Sequence, residues 1–253
     1  MRINELKNPF FVTAFILLLS AMLSGQNNKR IPVFMSGLVG DIDRLGLETG
    51  DLMLFQSKTF NGIMTQIGTL SPYTHCALVI RNPDGSLWLT HSTDNDYYGN
   101  RIPVINELQG RPGVILTRLE DIFVSTDGGE TGFYKTIRIR KFDDTWTERP
   151  DRKMLLELYE KYKKHKFTKS KLRFVLAALD FDLLGKDILS LPDDDTYFCS
   201  EYVHNLLIDA GYPITDDQKG NEYTPKNIKN LEPYYDKESI VLIFEEGKYR
   251  IKR

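Results

Sequence analysis

The chain has 253 residues, with 33 basic against 35 acidic side chains, a formal net charge of −2 and 41% hydrophobic residues. This is an ordinary globular balance that gives no reason to expect nucleic acid as a partner. No internal repeat or low-complexity tract interrupts it, which removes solenoid and linker-like architectures.

In chain order, Arg2 and Lys7 precede an uncharged run from Phe10 to Leu23. The run is too short for a comfortable membrane span and has the form of a signal-peptide core, so residues 1–25 are expected to direct export and be removed. No cysteine near Ser24-Gly25 offers a lipid-attachment point, so the exported form is expected to be a periplasmic or secreted non-lipoprotein without a stable membrane span. The rival reading is an uncleaved short anchor. Residues 26–45 read as a lead-in, and 46–253 as one domain large enough for a full core.

Gly50-Asp51-Leu52-Met53-Leu54-Phe55 opens the domain as a strand. His75-Cys76-Ala77-Leu78-Val79-Ile80 and Leu87-Trp88-Leu89-Thr90 flank Asn82-Pro83-Asp84-Gly85, a hairpin signature. In an antiparallel pair His75 begins the first strand and His91 ends the second, which returns both imidazoles to one end of the sheet. Val114–Thr117 and Thr136–Arg140 read as further strands, Lys153–Lys164 as a helix, and Ile240–Phe244 as the last strand. After Thr196, the spacing of Val203, Leu206, Leu207 and Ala210 up to Gly211 and Pro213 predicts a helix with Cys199 in its first turn. The expected class is α+β, with a small antiparallel sheet or barrel packed against the helix that bears Cys199.

That placement of Cys199 is chemically pointed. The unpaired N–H groups and dipole of a helix N-terminus favour an anion, lowering a thiol pKa from about 8.5 towards neutrality, and the same N–H groups can hold an oxyanion. A thiol with a distant histidine proposes a nucleophile and its base, and a second histidine at the far ring nitrogen would fix the tautomer of the first. Of the other histidines, His165 lies in a basic helix end and His204 is turned about 140° around the helix from Cys199. Glu201, two positions along, is expected to make a structural hydrogen bond.

Gly50-Asp51-Leu52-Met53, Thr74-His75-Cys76-Ala77-Leu78, Leu89-Thr90-His91-Ser92, Phe198-Cys199-Ser200-Glu201-Tyr202-Val203 and Thr224-Pro225-Lys226-Asn227-Ile228 together resemble the "GDLL", "SHxGI", third-residue, "YCSELV" and "TPxDL" segments of one family. It is the group of permuted papain-like amidases of the NlpC superfamily, in particular the YiiX/YaeF-like branch, with lecithin retinol acyltransferase-like proteins as cousins. The match runs from Gly50 to Ile228 with the histidine before the cysteine, the permuted order. The approach from Leu176 to Asp195 resembles the family's "YDxxF" segment with the leading aromatic displaced.

The resemblance implies a circularly permuted papain-like fold, Cys199 as nucleophile, His75 as general base and His91 as the orienting residue. Relatives place His, Glu, Asp, Asn or Gln at that third position, and Asp94 and Asn95 follow His91 closely. It also implies a cysteine amidase or peptidase with no metal or organic cofactor. With export, peptidoglycan stem peptides are a reasonable substrate class, and lipid-like or N-acyl amides are the alternative, as hydrolase or acyltransferase substrates. A non-catalytic peptide- or lipid-binding module is the reading from another class; zinc held by the two histidines and Cys199 is a weak one, since no CxxC or HExxH spacing accompanies them.

Two cysteines in an exported chain ordinarily suggest a disulfide. Strand alternation argues the other way: if His75 faces Cys199, its neighbour Cys76 is expected to point to the opposite face and be buried in the core behind.

Overall fold

The computed structural model describes residues 33–34, 45–57, 66, 71–93, 104–107, 111–125, 134–167, 196–214, 228, 231, 234–245 and 248–252. The expected signal segment, most of the lead-in, Asp94, Asn95, the Leu176–Asp195 approach and Thr224–Asn227 lie outside the described residues.

The strands are β1 (Val33–Phe34), β2 (Leu52–Ser57), β3 (His75–Arg81), β4 (Leu87–Thr93), β5 (Gly113–Arg118), β6 (Val124–Ser125), β7 (Tyr134–Phe142), β8 (Lys166–Phe167), β9 (Thr196–Tyr197), β10 (Tyr235–Glu245) and β11 (Lys248–Lys252). The helices are α1 (Leu119–Ile122), α2 (Arg152–Tyr162) and α3 (Cys199–Asp209). Among the described residues, seven strands form one open sheet in the order β11-β10-β7-β2-β3-β4-β5, every neighbouring pair antiparallel. The class is therefore α+β with an antiparallel sheet packed against the Cys199 helix, as expected, and the sheet is open rather than a barrel. Ile240–Phe244 is not the last strand: β10 turns back into β11, whose Lys248-Tyr249-Arg250-Ile251-Lys252 carries too much charge to announce a strand by itself.

β2 and β3 read as continuous apolar runs because both of their faces are covered. Leu52, Leu54, Cys76, Leu78 and Ile80 join α2 and α3 in one core through Leu155, Tyr159, Tyr202, Val203, Leu206 and Leu207. Met53, Phe55, Ala77 and Val79 point the other way, to a second core with Leu89, Leu119, Ile122, Ile137 and Ile139. The period of two thus sorts one strand pair into two cores.

The helices are fixed by specific ties. Asp151 caps α2 by accepting from the Met154 N–H at 2.7 Å. At the far end Tyr162 Oη donates to Asp209 Oδ2 at 2.6 Å, joining α2 to α3. α3 lies across β3 and β4, where the Tyr202 and Thr90 hydroxyls meet at 2.5 Å and Ser92 Oγ donates to the Tyr197 carbonyl at 2.8 Å. Gly113, at φ +120°, lets β5 pass close to residue 165: a Cβ there would stand 2.6 Å from the His165 carbonyl oxygen.

Asp51 anchors the start of β2. It is fully buried, and its carboxylate accepts from Arg149 Nη1 at 2.9 Å, Lys141 Nζ at 2.8 Å, the Phe142 N–H at 3.1 Å and the Glu48 N–H at 3.0 Å. One side chain thereby ties the β2 entry to the end of β7 and the segment before α2. Removing one partner of such a cluster leaves buried cationic and N–H groups uncompensated. Asp51→Ala is expected to cost about 3 kcal/mol and to lower the midpoint of thermal unfolding by roughly 10 °C; a calorimetric midpoint unchanged from the parent would remove this anchoring role.

Candidate active site

The ladder between β3 and β4 runs from Arg81↔Leu87 to Leu78↔Thr90. Beyond that point β3 continues along β2 as far as His75, and β4 continues along β5 as far as Thr93. The two strands part there, and the N-terminus of α3 sits over the gap, held by Ser92 and Thr90 of β4 on either side of Cys199 in the chain.

Cys199 is the first residue of α3, where the helical N–H groups lack intrahelical partners. Phe198 occupies the cap position without an acceptor of its own, and Glu201 compensates by accepting from the Phe198 N–H at 3.2 Å. Glu201 is thus spent on holding the helix start. His204 is buried, with Nδ1 3.2 Å from Asn205 Oδ1.

His75 and His91 meet through Nε2 and Nδ1 at 2.8 Å, and His91 Nε2 lies 3.2 Å from Thr117 Oγ1. Burial first, and the nearby His75 second, push the His91 pKa well below the usual histidine value, so His91 is neutral. A consistent assignment follows from this network. His91 Nε2–H donates to Thr117, His91 Nδ1 accepts from His75 Nε2–H, and His75 Nδ1 is left for Cys199. His91 can therefore fix the ring and tautomer of His75 without contributing a charge, unlike a carboxylate in that place.

The Cys199 thiol is held well below its ordinary value. The hydrogen bond from Cys76 is the largest cause; burial opposes it, and His75 adds both charge and a side-chain hydrogen bond. Burial, with Cys199 adjacent, pushes the Cys76 thiol well up. Both shifts favour negative charge on Cys199 over Cys76. His75 is 8% exposed and Cys199 4%, against 1% for His91, so the thiol and His75 lie nearer the surface than His91.

Cys76 departs from the sequence reading. It lies on the face covered by α3 and touches Cys199, rather than in the core behind. Alternation correctly separates His75 from Cys76, but α3 ends over the place where the strands part, and there Cys199 reaches both neighbours. Both cysteines are free thiols.

A cavity of about 1200 Å³ lies between β4, β5, α2 and the segment from Lys163 to Phe167, and none of His75, Cys76, His91 or Cys199 lines it. Trp88, Leu116, Leu156 and Phe167 supply apolar lining, and Arg152, Lys164 and Lys166 bring cations without an ion pair to any described carboxylate. Glu107 and Glu160 also line it but are paired with Arg111 and Lys163. Two of the cavity's lining rings pack on the residues just before Cys199: Phe167 faces Phe198 at 6.3 Å, and His165 lies on Tyr197 at 4.7 Å. The sequence marked His165 only as part of a basic helix end. Its place beside the cavity depends on β8 pairing with β9 across a long separation in the chain.

Among the described residues no three His, Cys, Asp or Glu side chains converge to hold a metal ion, and no helix is long and apolar enough to cross a membrane. No family model and no curated protein matches the chain. The metalloprotein YiiX from Escherichia coli O157:H7 (DUF1105) is a similar solved structure, with a TM-score of 0.31 and 15% identity over 65% of this chain and 66% of that chain. This chain thus spans slightly less than two thirds of that structure, and a likeness of this size carries no argument about the site.

The depressed His91 pKa makes stability pH-dependent in a stated direction. The unfolded chain binds a proton near the ordinary histidine value of 6.5 while the native one does not, so the stabilisation is complete above that pH and is lost as pH falls below it. The thermal midpoint is expected to drop between pH 7.5 and 5.5, and this slope should flatten in His91→Asn, whose amide oxygen can still accept from His75. Equal slopes in the two proteins would rule out a neutral buried His91.

Proposed function

We propose that this protein is an exported cysteine hydrolase of the permuted papain-like kind, residues 1–25 serving as signal peptide and 46–253 as the catalytic domain. The observation that carries the reading is the relay Cys199–His75–His91–Thr117, with the thiol at a helix N-terminus. His75 Nδ1 accepts the thiol proton and the thiolate attacks an amide carbonyl. Backbone N–H groups at the start of α3 steady the oxyanion. His75 then gives its proton to the departing amine, leaving a thioacyl intermediate that water hydrolyses with the same ring as base. The cycle needs no metal or organic cofactor. Export makes peptidoglycan stem peptides the first substrate class to try.

The cavity whose lining rings pack on Tyr197 and Phe198 favours a second reading of the substrate, an N-acyl amide or lipid-like amide or ester, cleaved or transferred to another acceptor. Its apolar lining suits an acyl chain, and Arg152, Lys164 and Lys166 suit an anionic group. Two measurements separate these readings from a non-catalytic binding module. A limiting thiol electrophile should label Cys199 rapidly below about pH 7, well under the free-thiol range, and His75→Ala should slow that labelling. Hydrolysis of the preferred substrate should fall by roughly 10²- to 10⁴-fold in His75→Ala. An unreactive Cys199, with ligand binding indifferent to Cys199→Ala, would leave the binding-module reading in place. Among substrates, Lys164→Glu with Lys166→Glu should reduce kcat/KM for anionic acyl amides and leave neutral peptides little changed; equal loss on both would remove the cavity from substrate selection.

A further inference from the structure

Cys76 and Cys199 are the only cysteines in the chain, and they approach each other from elements far apart in sequence. Cys76 projects from β3 onto the face covered by α3. Ser92 holds Tyr197 at 2.8 Å and Thr90 holds Tyr202 at 2.5 Å, which seats the first turn of α3 over the same strand end. Cys76 is fully buried while Cys199 keeps 4% exposure, so a small solute meets Cys199 and not its neighbour. The relay does not use the Cys76 thiol as base, acid or nucleophile.

We propose that Cys76 and Cys199 form a reversible redox site, in which a hydroperoxide oxidises Cys199 and Cys76 closes the oxidised sulfur into an intramolecular disulfide. The Cys199 thiolate attacks one peroxide oxygen. A sulfur–oxygen bond forms, the oxygen–oxygen bond breaks, and the departing hydroxide or alkoxide takes up a proton. The sulfenic acid so formed meets Cys76, whose sulfur attacks Cys199 Sγ. The disulfide bond forms, the sulfur–oxygen bond breaks, and the leaving hydroxide combines with the Cys76 proton as water. With hydrogen peroxide the balance is two thiols and one peroxide to one disulfide and two waters. The peroxide is the oxidant, and the two sulfurs are the reductant.

The bridge removes the nucleophile and the buried donor together, so oxidation silences the centre. It also keeps Cys199 from sulfinic acid, a state that thiol reductants do not reverse. The raised thiol of Cys76 does not compete with Cys199 for peroxide, and its attack on the oxidised sulfur rests on their contact. The inference shares with the hydrolase reading only a reactive Cys199.

The test uses the full exported chain, reduced, freed of reductant and treated with equimolar hydrogen peroxide near pH 7. Intact and peptide mass spectrometry should show a loss of about 2 Da, one Cys76–Cys199 crosslinked peptide pair, and full reversal by dithiothreitol. In Cys76→Ser the same treatment should carry Cys199 to sulfinic acid, a gain of about 32 Da that dithiothreitol does not reverse. Wild-type protein that gains oxygen at Cys199 while Cys76 stays free would overturn the proposal, as would Cys199–Cys199 dimers or no reaction with peroxide. Rapid alkylation of Cys199 in the same preparation would leave the hydrolase reading standing when the disulfide fails to form. The wild-type result decides the question whether or not Cys76→Ser folds.

Discussion

The parting of β3 from β4 is the constraint on which the site depends. Paired as far as Leu78 and Thr90, each strand then follows its other neighbour, β2 on one side and β5 on the other. Had the ladder continued to the strand ends, the sheet would present α3 with an unbroken surface and His75 would stay on the face away from it. Instead the gap receives the start of α3. Within it a thiol from the helix, an imidazole from each strand and a second thiol come together.

Holding that arrangement requires rigidity on both sides of the gap. Thr90 and Ser92 clamp α3 from below, and Tyr162 with Asp209 braces it from α2. Asp51 secures the opposite side by binding the β2 entry to Lys141 and Arg149. His75 is thus carried on a strand whose partner begins at a buried ionic cluster. The position of His75 and the cluster at Asp51 are joined through the β2–β3 ladder rather than by direct contact.

Electrostatics within the site follow from burial more than from charge. His91 is shut away beside another imidazole and stays neutral, so it orients His75 by accepting a hydrogen bond. The negative charge that stabilises imidazolium in a carboxylate triad is absent from this position. A helix N-terminus and the Cys76 donor favour the thiolate instead. Cys76, beside His75, is therefore the largest influence on the Cys199 thiol.

Local periodicity and turn chemistry were sufficient for the elements that carry His75, His91 and Cys199. The hairpin of His75 and His91 is written in two apolar runs around Asn82-Pro83-Asp84-Gly85, and the Cys199 helix in its apolar spacing and its Gly211 stop. These signals concern neighbours within a few residues of one another, where the backbone period decides which side chains share a face. The extent of the sheet, the return strand β11, the cluster around Asp51 and the cavity beside His165 all join residues distant in the chain. Cys76 shows the difference most sharply. Its sequence position determined its face relative to His75, but only tertiary packing could decide which element covered that face, because the reach of Cys199 depends on where two strands part.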